Sequence, residues 1–89
     1  MVIPFSTQVN LAKRIVSLCD SCEGRPKELT NIVEICKAMS ECADDDHSIA
    51  FDLLEYVQEC LKIAEGNGDR VWRQQLLETL QFDMKDETL

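Results

Sequence analysis

The run DHSIAFDLLEYVQECLKIAE, residues 46–65, decides the fold of this chain. Within it Ala50, Leu53, Leu54, Val57, Cys60, Leu61 and Ala64 recur at the i, i+3, i+4, i+7 spacing of one helix face, and Ile49, Tyr56 and Ile63 repeat every seven residues along its flank. An apolar arc that wide is not covered by one neighbour, so several other helices must pack around this one. Three carboxylates, Asp44, Asp45 and Asp46, stand at its entrance, where unpaired amides and the helix dipole favour negative charge, and Asp46 is the expected N-cap.

Working outward toward the C-terminus, Gly66, Asn67 and Gly68 tolerate positive φ and end the helix. Asp69 then caps a shorter helix carrying Val71, Trp72, Leu76, Leu77 and Leu80. Residues 83–89 show no periodic apolar pattern and read as a flexible tail. Toward the N-terminus, Pro26 suits the first turn of a helix whose buried stripe is Leu29, Ile32, Val33, Cys36 and Met39, with Ile35 at its edge. Before it, Ser6 or Thr7 caps a first helix in which Leu11, Ile15, Leu18 and Cys22 share a face with Ala12, Val16 and Cys19. Gly24 and Pro26 make the boundary between those two helices sharp.

The expectation is therefore an all-α domain, residues 1–82, of four helices near 6–23, 26–43, 47–65 and 69–82. No alternating run bounded by turn residues offers a strand. Short connections favour an up-down bundle. A weak internal repeat with an offset of 41 pairs Val16 with Val57, Cys19 with Cys60, Ile35 with Leu76 and Met39 with Leu80, and suggests two armadillo- or HEAT-like helical hairpins instead.

The chain has 89 residues, enough for one domain that hides roughly 60–65% of the surface its unfolded form exposes. Its net charge of −8 is unevenly placed: residues 1–39 hold five basic and four acidic side chains, residues 40–89 four basic and thirteen acidic. An acidic surface repels phosphate backbones and anionic headgroups, so neither nucleic acid nor a membrane is the expected partner; another protein with a basic surface is. The longest apolar run, Ile49 to Phe51, is far too short to span a bilayer. Five cysteines, Cys19, Cys22, Cys36, Cys42 and Cys60, are odd in number, follow no secretory-type segment, and lie in or beside apolar stripes. Reduced thiols in the cytoplasm or nucleus are the expected state.

Two patterns point to metals. Asp44, Asp46, Ser48, Asp52 and Glu55 occupy the first, third, fifth, ninth and twelfth places of a twelve-residue window that resembles the calcium loop of EF-hand proteins. The sixth place, where that loop turns on a glycine, is Ile49, and a capped helix N-terminus accounts for the same residues without any special turn. Cys19 and Cys22 are spaced like half a zinc site, which Cys36, Cys42, His47 or Cys60 would have to complete. A metal-responsive helical module is thus the alternative function; the leading reading has no cofactor and no metal.

Catalysis is not expected, since the chain has one histidine, no glycine-rich phosphate loop and no nucleophile–base pair. The expected function is a protein-interaction or regulatory module. An acidic face drawn from Asp44, Asp45, Asp52, Glu55 and Glu59 would attract the partner, and an apolar patch with Trp72 beside Arg73 would hold it. The partner is another protein, or a second copy in a homo-oligomer.

Overall fold

The computed structural model describes residues 4–42 and 49–85. Within them lie four helices and no strand: α1 (Phe5–Ser21), α2 (Pro26–Cys42), α3 (Ile49–Ala64) and α4 (Arg70–Lys85). The turns between them follow from local chemistry. Gly24 has φ 78° just beyond α1, and the Arg25 amide donates to the Cys22 carbonyl at 2.9 Å. Pro26 then opens α2, where a missing amide hydrogen leaves nothing unpaired.

The α3–α4 turn is more tightly specified. Gly66 has φ 93°; its amide donates to the Ile63 carbonyl at 3.0 Å and the Asn67 amide to the Lys62 carbonyl at 2.9 Å. Those two bonds are the paired closure of a left-handed helix end, and they satisfy carbonyls that α3 would otherwise leave open. At Gly68 a side chain has no room, because a Cβ there would lie 2.5 Å from the Ile63 backbone nitrogen. Asp69 caps α4 through its Oδ1, which accepts from the amides of Val71 at 2.8 Å and Trp72 at 3.1 Å.

The helices form a bundle organised on α3, which packs against α2, α4 and α1. Ile49, Ala50, Leu53, Tyr56, Val57 and Cys60 of α3 are all buried, and they meet Leu29, Ile32, Val33, Cys36 and Met39 of α2 in one core. Cys60, late in α3, touches Cys19, late in α1, and Arg73, early in α4. Asp52, early in α3, faces Asp83, late in α4. Helices α1 and α3 therefore run the same way and α4 runs against them, as in an up-down order. The two hairpins suggested by the offset of 41 are not equivalent, since α1 and α2 touch thinly whereas α3 and α4 pack along their length. A radius of gyration of 12.4 Å matches the value of about 12 Å for a closed domain of this length rather than an open repeat.

Three sequence expectations change. Helix α1 begins at Phe5, without a side-chain cap from Ser6 or Thr7, and the Gln8 amide bonds the Pro4 carbonyl at 3.0 Å. Phe5 packs on the core, which draws the first turn one residue earlier. The buried face of α1 is Gln8, Val9, Ala12, Ile15 and Cys19, while Leu11 and Leu18 are exposed. Its main contact is α3 alone, so a narrow face centred on Ala12 suffices and Leu11 and Leu18 remain outside it. Helix α4 continues past Phe82 to Lys85, because Met84 extends the buried row of Leu76 and Leu80 by one more turn. The expected N-cap Asp46 lies outside the described residues, as do His47 and residues 43–45.

Candidate interaction surface

The outer surface of the α3–α4 hairpin carries three of the residues singled out by sequence, Asp52, Glu55 and Trp72. The cap at Asp69 sets the first turn of α4 and so the direction of Trp72, which is 49% exposed. Val71 and Phe82 are more exposed still. Phe82 lies half a helical turn from both Leu80 and Met84, and since those two are buried it must face outward. At the opposite end of the hairpin Phe51, in the first turn of α3, is half exposed, close to the end of α4 that holds Phe82. Beside the turn, Ile63, Gly66, Gly68, Asp69, Arg70 and Val71 line an open hollow of about 530 Å³.

Carboxylates run between these apolar groups. Asp52 of α3 is half-buried against Asp83 of α4, with Glu55 one turn further along. Burial first, then the hydrogen bond and the like charge of Asp83, push the Asp52 carboxyl up to about 7. Arg70 pairs with Glu23 at 3.4 Å, tying the start of α4 to the α1–α2 turn on the exposed side.

Two of the expected binding residues are engaged inward. Glu59 is only 7% exposed, and its Oε2 accepts the Asp69 amide at 2.8 Å. That bond joins α3 to the residue that caps α4, so Glu59 holds the turn beneath Trp72 instead of lying on the acidic face. Arg73 is half-buried and its guanidinium reaches the Cys60 thiol. Asp44 and Asp45 lie outside the described residues, while Asp52, Glu55 and Trp72 share the hairpin. Sequence reasoning missed Phe51, Val71 and Asp83 as surface residues and placed Phe82 only as a helix end. The available signal was the three-turn spacing of Val71 and Phe82 on the side of α4 away from Leu76 and Leu80.

The candidate metal patterns have a different outcome. Places six to twelve of the calcium-loop-like window, Ile49 to Glu55, are the first two turns of α3, and Ile49 is buried in the core. The loop geometry needs a turn at that place, and the described half of the window is helix. Among the described residues, no group of three or more His, Cys, Asp or Glu side chains is arranged to hold a metal ion. No helix among them is long and apolar enough to cross a membrane. No protein-family model, curated protein or solved structure matches this chain.

Proposed function

We propose that this protein is a non-catalytic interaction module whose α3–α4 hairpin docks a basic surface of another protein. The observation that carries this reading is the outward placement of Trp72, Val71 and Phe82 on one helix of an acidic chain, with Phe51 across the seam. Exposed aromatic groups ringed by polar ones are what binding hot spots are built from. The carboxylates of Asp52, Glu55 and Asp83 supply charge complementarity to a lysine- or arginine-rich partner and guide its approach. Glu59 and Asp69 hold the turn so that Trp72 is presented without having to be ordered on binding, which reduces the entropic cost of association.

The reading is tested by capturing partners from extract of cells that make the protein and footprinting the side chains of the isolated complex by hydroxyl-radical oxidation. Protection of Trp72, Phe82 and Phe51 is expected, with Ile35 on the outer side of α2 left reactive. Protection confined to Ile35, Leu11 or Leu18 would move the interface to another face and contradict the proposal. Mass measurement of the complex separates a heterologous partner from a second copy of this chain.

A further inference from the structure

Leu11, Arg14 and Leu18 stand at i, i+3 and i+7 of α1 and are all exposed, so they form one outward line with a cation between two leucines. From Phe5 to Cys19 the helix holds Lys13 and Arg14 and no acidic residue, in a chain whose net charge is −8. Neither cation pairs with a carboxylate among the described residues. The outermost line of α4 has the opposite sign. Val71, Glu78 and Phe82 stand at i, i+7 and i+11, all exposed, and Glu78 too has no ion pair among the described residues.

Within one molecule these two lines are turned apart. The open groove of about 370 Å³ between α1 and α4 is lined by Lys13, Gln81, Met84 and Lys85. Helix α1 thus faces α4 with its Lys13 edge, roughly 140° round the helix from Leu11, Arg14 and Leu18. Symmetric pairing of two α1 lines across a two-fold axis is opposed by charge, because it sets Arg14 of each copy against the same cation of the other.

We propose that the α1 line of one molecule docks on the α4 line of a second copy, so that the chain associates with itself head to tail. The inference rests on the reading of the α3–α4 hairpin as a docking surface and names the α1 face of this same chain as a basic surface that it takes. With Arg14 set against Glu78, Leu18 comes opposite Phe82 if the helices run parallel, and Leu11 comes close to Phe82 if they run antiparallel. Either way an arginine–carboxylate pair lies beside an apolar contact, which fixes register as well as adding affinity. The net charge of −8 on each copy opposes association at long range, but at a Debye length of about 8 Å the contact responds to the charges that face it. One helix on one helix is small against the roughly 800 Å² per partner that stable complexes bury, so the association is weak and grows with concentration. Each contact uses the α1 line of one copy and the α4 line of the next, which leaves both ends of a pair open to further copies. It also covers Phe82, so self-association competes with any other protein for the hairpin.

The test is sedimentation equilibrium of the full chain from about 10 μM to about 1 mM, the range in which so small a contact is half-formed. An average mass that climbs with concentration is expected for wild type. Arg14→Glu and Glu78→Arg, both at exposed positions, should each keep the helical circular dichroism and weaken association by about tenfold or more. An equimolar mixture of those two variants should regain it, since each then meets opposite charge on the other, and so should the double variant that carries both changes in one chain. A wild type that remains monomeric throughout, association that both single variants retain, or a mixture no better than its components would each overturn the proposal. The hairpin reading fails separately, through the footprint of the complex captured from extract.

Discussion

Asp52 turns an ordinary surface carboxylate into a pH-sensitive joint. Its carboxyl lies near 7 in the folded protein against 3.8 in the unfolded chain, raised by burial and by Asp83 and Glu55. The folded state therefore binds more protons than the unfolded one between those two values, and stability from this group falls as pH rises from about 4 to about 7. Melting temperature should accordingly be higher at pH 5 than at pH 8 for the wild type. Asp52→Asn should flatten that difference and stabilise the protein at pH 8 by about 1–2 kcal/mol, a figure reduced for the partial exposure of the group. A variant with the same pH slope as wild type would show that the Asp52 carboxyl is not raised in the folded protein. Trp72 and Phe82 are different in kind, since their exposed area gives the fold little. Trp72→Ala should cost about 1–2 kcal/mol and Phe82→Ala less than about 1 kcal/mol by chemical denaturation.

Among the elements, the α3–α4 turn is the most closely determined and α1 the least. Replacing Asp69 by Ala removes the acceptor for the Val71 and Trp72 amides and should destabilise the protein by about 1 kcal/mol. Gly68→Ala should cost more, about 1–3 kcal/mol, because its Cβ meets the Ile63 backbone and not the end of a flexible side chain. Equal denaturation midpoints for wild type and Gly68→Ala would mean that the turn relaxes freely. Helix α1 lacks a side-chain cap and packs mainly on α3, so its amides should exchange with deuterium faster than those of α3, which is covered on three sides. Exchange of α1 as slow as that of α3 would contradict that ordering.

At the scale of the whole molecule, what could be read from the sequence was what is encoded locally. Gly24 with Pro26, and Gly66 through Asp69, mark helix ends through their own φ preferences and caps, and the turns form there. The wide arc of α3 announced that three neighbours would cover it, and three do. Properties that depend on distant partners were not legible. The periodicity of α1 allowed either flank to be buried, and Leu11 and Leu18 are left exposed because α1 packs mainly on α3 alone. Glu59 looked like a surface acid because nothing nearby in sequence announces the Asp69 amide as its partner. Asp52 and Asp83 belong to opposite ends of the hairpin in sequence and meet only through its antiparallel packing. Met84 was assigned to a tail since a single apolar residue after Asp83 carries no visible period until Leu76 and Leu80 are known to be buried.

Asp52, Glu55, Asp83 and the outward aromatic residues meet on the same hairpin, and the joint role in binding proposed for them is directly measurable. The decisive measurement is the affinity of the captured partner for wild type and for the Trp72→Ala, Phe82→Ala double variant, taken at low and at high ionic strength, with the helical circular dichroism of each protein recorded alongside. Binding that weakens at least tenfold in the double variant, and weakens in wild type as salt rises, with helicity retained, is the predicted result. Undiminished, salt-independent binding by a folded double variant would contradict the assignment of the α3–α4 surface as the docking site.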